Sequence, residues 1–126
     1  MTTEIWKDIK GYNGMYQVSS QGRIKRVYTP KSYKHIDKIL NPLVSNSHTL
    51  QYLRIGLWQN GNKKRYMVHR LVADAFMPNK EADKLQVHHK DYDTWNNNIA
   101  NLEWVTPLYN GCSELKRRHI AIDYLM

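Results

Sequence analysis

Two adjacent histidines, His88 and His89, are the residues of this sequence best suited to acid–base or metal chemistry. A neutral imidazole can bind a divalent cation, or remove a proton from water near neutral pH. Two asparagines follow further along the chain, Asn101 and Asn110. A carboxamide oxygen suits a hard divalent cation, and a carboxamide can also hold an imidazole in one tautomer. Together these residues offer a base, metal ligands and an orienting group.

This set of groups meets the chemical requirements of phosphodiester hydrolysis. A base activates a water molecule, and a cation neutralises charge on the phosphate and on the leaving oxygen. Neighbouring side chains of a regular strand point to opposite faces, so one histidine can face a metal while the other faces a water. The residue types alone do not say which of the two histidines faces the metal and which faces the water. The alternative is that both are surface histidines on a basic strand.

The segment around the histidines is predicted to form a ββα unit. We expect a strand over residues 85–90, a polar loop over 91–100 and a second strand over 102–106. Thr106 and Pro107 predict the start of a helix, with threonine as N-cap and proline at the first helical position. The helix is predicted to run to about residue 118. The polar side chains can then meet where the first strand ends and the helix begins.

The elements upstream are predicted to be two hairpins and a short helix. Strands are expected over residues 15–19 and 23–27, and again over 52–58 and 65–68, where Asn60, Gly61 and Asn62 supply the turn. Apolar spacing predicts a helix over residues 69–76. Residues 28–49 lack periodicity and are interpreted as a mobile connector. The predicted fold class is therefore α+β, with small antiparallel hairpins followed by a ββα-metal unit.

The chain has 126 residues and a formal net charge of +8. This length suits about one domain, and the excess of positive charge favours a polyanionic partner. A single cysteine, Cys112, excludes an intramolecular disulfide and a multi-cysteine zinc site. No apolar run approaches transmembrane length, and the first residues do not resemble a secretory signal. We therefore expect no membrane association and a cytoplasmic location without secretion.

Basic residues on the predicted hairpins and at the end of the last helix are candidate phosphate contacts. They are Arg23, Lys25, Arg26, Lys63, Lys64, Arg65, Arg70, Lys116, Arg117 and Arg118. A charged hairpin edge can also serve only to prevent aggregation, and basic residues at a helix C-terminus also suit the helix dipole. His69, beside Arg70, is interpreted as a hydrogen-bonded structural histidine at a helix start, and the alternative is that it contacts phosphate or supports the site.

Residues 87–110 resemble the HNH family of His-Me finger nucleases, especially its phage and intron-homing branch. The matching residues are His88-His89, then Asn101-Leu102-Glu103-Trp104-Val105-Thr106, then Asn110. The resemblance implies that His89 is the general base, that His88 and Asn110 bind one divalent ion, Mg2+ or Mn2+, and that Asn101 orients the base.

This sequence departs from the family pattern at three positions. His88 stands where Asn or Asp is commoner, which makes the site less anionic. Tyr92 and Asp93 stand where glycine and asparagine are expected in the loop. Asp91 matches an acidic position of the family loop and is interpreted as a residue that caps the loop rather than as a metal ligand.

The N-terminal segment is similar to the NUMOD4 motif that often precedes HNH nucleases and is thought to help bind DNA. The match covers Trp6, Gly11-Tyr12, Gly14, Tyr16, Val18-Ser19 and Gly22-Arg23. We therefore divide the chain into a NUMOD4-like hairpin and connector, residues 1–49, and an HNH nuclease domain, residues 50–126, with its ββα core at about 85–118.

The two resemblances imply a metal-dependent, homing-endonuclease-like enzyme that nicks or cuts double-stranded DNA. The expected species is a monomer or homodimer in the cytoplasm of a bacterial or phage-infected cell. One alternative is a catalytically inactive module on the same scaffold that binds DNA or inhibits a host system. Another is an RNA-binding protein that uses its nine tyrosines for stacking.

Overall fold

Antiparallel strands carry most of the fold in the computed structural model, which describes residues 3–29, 35–44 and 51–107. The strands are β1 (Trp6–Asp8), β2 (Tyr16–Ser19), β3 (Ile24–Tyr28), β4 (His35–Leu40), β5 (Leu43–Val44), β6 (Leu53–Gln59), β7 (Asn62–Met67), β8 (Gln86–His89) and β9 (Leu102–Val105). A helix, α1, spans Val68–Phe76, and short 3-10 helices span Ala82–Lys84 and Ile99–Asn101. The predicted α+β class with antiparallel hairpins is confirmed.

The first sheet has the strand order β1-β2-β3-β4. Its central hairpin is the one predicted from alternation, since Tyr16 and Val18 of β2 and Ile24 of β3 are buried on one face. Outside the predicted hairpin, β1 adds an edge strand by pairing Trp6 with Ser19.

The interpretation of residues 28–49 as a mobile connector was wrong for the part that the structure describes. His35–Leu40 forms β4, which pairs with β3, and Leu43–Val44 forms β5, which pairs with β6. The sequence of β4 shows no alternation, because Ile36 and Ile39 are three positions apart and do not share one face of the strand. Both side chains remain exposed, at 43% and 40%. Backbone pairing at the sheet edge therefore forms this strand without an alternating buried face.

The second sheet, β5-β6-β7, is built on the predicted long hairpin. Asn60 and Gly61 have φ angles of 53° and 80°, which fits a two-residue turn with both central residues left-handed. The chain passes directly from β7 into α1, whose buried residues are Val68, Leu71, Val72 and Ala73. The hairpin and the helix thus form a continuous unit.

One cluster of buried side chains joins all three sheets and the helix. It includes Tyr16, Val18, Ile24, Ile55, Leu57, Val68, Leu71, Val72, Val87 and Leu102. Its members come from both sides of the predicted boundary at residue 49. The last strand pair, which carries the histidines, therefore packs on a core that the N-terminal hairpin helps to build.

The β8–β9 pair is antiparallel, with His88 opposite Glu103 and His89 opposite Leu102. Both strands lie within the predicted bounds, and Pro107, the last described residue, has a helical conformation. The rest of the predicted helix lies outside the described residues, together with Asn110, Lys116, Arg117 and Arg118. The part of the chain that the structure describes holds no helix with the length and apolarity needed to cross a bilayer.

Candidate active site

The two histidines at the end of β8 point to different surroundings, as expected for neighbours in a strand. Their exposed fractions are only 3% for His88 and 4% for His89. The His88 ring packs edge-on against Tyr92, with centroids 5.3 Å apart, and its Nε2 lies 3.8 Å from Oε2 of Glu103. Both imidazoles are thus held inside the protein, which argues against the alternative of two surface histidines.

A hydrogen bond and ring contacts with two neighbouring residues hold the His89 imidazole. Its Nε2 lies 2.8 Å from Oδ1 of Asn97. The ring of His69 stands against it at a centroid distance of 5.1 Å and an interplanar angle of 75°, and the ring of Tyr52 lies 6.0 Å away. These contacts restrict rotation of a ring that must be aligned with a reacting water to act as a base.

His69 in the first turn of α1 belongs to this environment. Desolvation, the positive charge of a protonated His89 and the Arg70 guanidinium lower the pKa of His69 to about 3. Its Nδ1 is buried, with no hydrogen-bond partner among the described residues. His69 is therefore a neutral ring at physiological pH and supports His89 by packing.

The loop between β8 and β9 is closed by the carboxylate of Asp91. This carboxylate accepts hydrogen bonds from the backbone N–H of Asp93 at 2.8 Å, from Nδ2 of Asn96 at 2.8 Å and from Nδ2 of Asn101 at 2.9 Å. Desolvation raises the pKa of Asp91, but these hydrogen bonds outweigh it and hold the pKa below its ordinary value. The interpretation of Asp91 as a loop-capping residue is confirmed.

The structure corrects the direct contact expected between Asn101 and the base. The Asn101 side chain accepts from the backbone N–H of Asp91 at 3.0 Å and donates to the Asn96 carbonyl at 2.9 Å, so it ties the two ends of the loop together. The carboxamide that reaches His89 is Asn97, which is 3% exposed. Sequence reasoning missed it because Asn97 sits between two further asparagines, and composition does not say which one faces inward.

Tyr92 adopts a left-handed backbone conformation, with a φ angle of 63°. A side chain with a Cβ is strained there, which explains why glycine is the expected residue at this position. The loop keeps its left-handed turn although residue 92 is a tyrosine rather than a glycine, and the tyrosine ring packs on His88.

The described residues hold no group of three or more His, Cys, Asp or Glu side chains arranged for a metal ion. They do bring together one imidazole nitrogen and one carboxylate oxygen, in His88 and Glu103. Mg2+ commonly uses one or two protein carboxylates and keeps water and phosphate oxygens as its other ligands. The donor set around His88 therefore fits a divalent ion, and Glu103 is a donor that the sequence analysis did not assign.

The predicted phosphate contacts of the first sheet are engaged with neighbouring side chains. Arg23 forms a salt bridge with Glu4, and the Lys25 ammonium lies 4.4 Å from the centroid of the Trp6 ring. Arg26 is half-buried and donates a hydrogen bond to the hydroxyl of Tyr16 at 3.0 Å.

The basic residues of β7 and α1 divide into two kinds. Lys63, Lys64 and Arg65 are exposed along β7. Arg70 instead donates hydrogen bonds to the carbonyls of Leu85, at 3.0 Å, and Ala82, and its guanidinium lies 4.9 Å from the centroid of the Trp104 ring. Arg70 therefore holds the segment that leads into β8.

A cavity of about 510 Å³ lies between β7, α1 and β8. Its lining residues are Tyr52, Arg65, Tyr66, Met67, His69, Arg70, Gln86 and Val87. The cavity thus brings two of the predicted phosphate contacts, Arg65 and Arg70, close to the His69 ring that packs on His89.

Comparisons with known proteins match this arrangement over most of the chain. A family model described as HNH endonuclease matches residues 66–112, and a model of the NUMOD4 motif matches residues 4–71. DNA endonuclease I-HmuI of Bacillus phage SP01 is 42% identical over 119 residues, which are 94% of this chain and 62% of the relative. An uncharacterized HNH endonuclease, L245, of Acanthamoeba polyphaga mimivirus is 32% identical over 84% of this chain and 29% of its own length.

A solved structure titled "DNA binding and cleavage by the HNH homing endonuclease I-HmuI" superposes with a TM-score of 0.74 at 40% sequence identity. It covers 90% of this chain, and this chain spans 59% of it. The family generally uses a divalent metal ion. Since the two family models run without a break from residue 4 to residue 112, the chain belongs to the HNH endonucleases that carry an N-terminal NUMOD4 motif.

Proposed function

We propose that this protein is a metal-dependent endonuclease that hydrolyses phosphodiester bonds of double-stranded DNA. The observation that carries the proposal is the environment of His89, a buried imidazole held by Asn97 and flanked by His69 and Tyr52. His88 and Glu103 form a second polar pair on the same strand pair. In this proposal, His89 as the base and His88 as a metal ligand are neighbours on β8, in a chain of the HNH family.

In the proposed reaction, His89 removes a proton from the water that attacks the scissile phosphorus. His88 and Asn110 would hold one divalent ion, Mg2+ or Mn2+, with the Glu103 carboxylate as a further donor. When bound, the ion neutralises charge on the phosphate and on the leaving 3′ oxygen. Asn101 contributes indirectly, because it closes the loop that carries the partner of His89.

The proposed substrate follows from charge and from the relatives. Lys63, Lys64 and Arg65 are consecutive exposed basic residues of β7, and the whole chain carries a net charge of +8. The solved relative binds and cleaves DNA according to its title. We further propose action in the cytoplasm of a bacterial or phage-infected cell, as a monomer or homodimer.

The first test is the variant His89→Ala, assayed on supercoiled plasmid with Mg2+ or Mn2+. Loss of a general base lowers the cleavage rate about 10²–10⁴-fold. DNA affinity should be nearly unchanged, since His89 is buried and is not a predicted phosphate contact. Asp83→Ala is the matched control, because Asp83 is exposed in the short 3-10 helix before β8, is not a predicted site residue and should leave cleavage intact. Full cleavage by His89→Ala would remove His89 from the mechanism.

The same assay distinguishes the alternatives. Cleavage that stops on addition of a chelator supports the metal-dependent enzyme, and the ratio of nicked to linear product separates nicking from double-strand cutting. A wild-type protein that binds duplex DNA but cuts neither strand with either metal would instead be the inactive binding module. Preferential competition by single-stranded RNA would favour the RNA-binding alternative.

A further inference from the structure

The contact between Asn97 and His89 selects one form of the imidazole. Oδ1 of Asn97 lies 2.8 Å from Nε2 of His89, and both residues are at most 4% exposed. A carboxamide oxygen can only accept a hydrogen bond, so Nε2 must carry the proton. The lone pair of the neutral ring is then on Nδ1, and only the nitrogen with the lone pair can take a proton from water.

Asn97 is itself held in place from the N-terminal sheet. A Cβ atom added to Gly22 would lie 2.7 Å from Cβ of Asn97 and 2.9 Å from its carbonyl oxygen. Gly22 also has a φ angle of +88°, a conformation that favours glycine. The backbone N–H of Ile99 donates to the carbonyl of Ser20 at 2.8 Å. The turn between β2 and β3 therefore lies directly against the segment of the loop that carries Asn97.

Hydrogen bonds to Ser19 hold the backbone of this turn in place. The hydroxyl oxygen of Ser19, which is completely buried, accepts hydrogen bonds from the backbone N–H groups of Gln21 at 3.1 Å and Arg23 at 3.0 Å. The backbone N–H of Gly22 donates to the Ser19 carbonyl at 3.0 Å. Movement of this turn would displace Asn97, since no space separates them.

We propose that Asn97 is a positioning residue that fixes His89 as the Nε2–H tautomer, and that the turn at residues 19–22 sets the position of Asn97. This assignment makes the NUMOD4 hairpin a structural part of the nuclease site, in addition to any contact that it makes with DNA. It rests on the proposed role of His89 as the base, but its central claim concerns an imidazole tautomer that exists without DNA.

The test is side-chain ¹⁵N NMR of the full chain without DNA, at a pH where His89 is neutral. The wild-type protein should give the Nε2–H tautomer of His89. Asn97→Asp retains an oxygen acceptor and should keep that tautomer, whereas Asn97→Ala should give a mixture. Gly22→Ala should also give a mixture, although residue 97 is unchanged. A wild-type Nδ1–H tautomer, or no change in either Asn97→Ala or Gly22→Ala, would overturn the inference.

Asn98→Ala is the matched control for general loosening of the loop. The Asn98 side chain accepts from the backbone N–H of Ala100 at 3.0 Å, so this variant also removes a loop hydrogen bond but should keep the tautomer. Loss of the tautomer in Asn98→Ala to the same degree as in Asn97→Ala would assign the effect to the loop and overturn the inference.

Kinetics supply the second readout. Loss of an orienting partner typically lowers activity about 10–100-fold. For Asn97→Ala this loss should appear in kcat, with KM for DNA little changed, and Asn97→Asp should recover part of it. An increase in KM alone would contradict positioning of the base. Absence of cleavage by a wild-type protein that shows the Nε2–H tautomer would overturn the proposed function and leave the tautomer assignment standing.

Discussion

The residues around His89 differ in how they act on it. Asn97 makes a directional hydrogen bond, whereas His69 and Tyr52 limit the ring by packing. With a pKa of about 3, His69 adds no positive charge beside His89 at physiological pH. A permanent charge such as lysine at position 69 would oppose protonation of His89, so a neutral ring at position 69 suits the proposed role of His89 as a base.

At the same scale, the left-handed backbone of Tyr92 gives a prediction about stability. Both Tyr92→Gly and Tyr92→Ala remove the ring that packs on His88. Only alanine keeps a Cβ at a φ angle of 63°, where a side chain costs about 1 kcal/mol. Tyr92→Gly should therefore have a higher free energy of unfolding than Tyr92→Ala by about 1 kcal/mol. Urea denaturation measures the difference, and the reverse order would show that position 92 is not left-handed in solution.

At the scale of elements, apolar alternation predicts the strands that bury one face and misses the edge strands β1, β4 and β5. The hairpins β2–β3 and β6–β7 and the helix α1 follow from apolar spacing, and β8 and β9 lie within their predicted bounds. The strand β4 follows from hydrogen bonding to β3, which leaves no pattern in side chains.

The same limit applies to the candidate site. The paired histidines can be picked out from residue types, and the capping role of Asp91 follows from the resemblance to the family loop. The choice of Asn97 rather than Asn101 as the partner of His89 cannot, because both are asparagines and the backbone path of the loop decides which one reaches the ring.

Arg65 and Arg70 are both candidate phosphate contacts in the sequence, but their positions in the fold give them different expected roles. Arg70→Ala removes hydrogen bonds to the carbonyls before β8 and should lower the free energy of unfolding by about 1–3 kcal/mol. Arg65→Ala, the matched variant on exposed β7, should leave stability unchanged and reduce the salt dependence of DNA binding by about one counterion. Denaturation and DNA binding at several salt concentrations test both, and equal stability of the two variants would contradict this division.

At the scale of the whole molecule, the shared core bears on the proposed division at residue 49. Tyr16, Val18 and Ile24 are at most 2% exposed and belong to the same cluster as Leu57 and Val72. Removal of the N-terminal hairpin would expose apolar surface on the nuclease half. The two parts are therefore proposed as functional segments of a single folding unit.

This organisation predicts that residues 50–126 do not fold alone. The full chain should unfold in a single cooperative transition, because its sheets share one core. The isolated segment should show no cooperative transition in thermal denaturation followed by circular dichroism. A sigmoidal transition of the segment at the melting temperature of the full chain would show that the nuclease half is independent.

The absence of space between Gly22 and Asn97 limits how such enzymes can be recombined. A chimera that joins a different N-terminal hairpin to this HNH segment would need a glycine at the same position of the tight turn, against the loop that carries Asn97. A larger residue there would shift Asn97 and, under the proposed function, give a protein that binds DNA but cleaves it slowly. The absence of one methyl group therefore constrains which N-terminal segments can be exchanged.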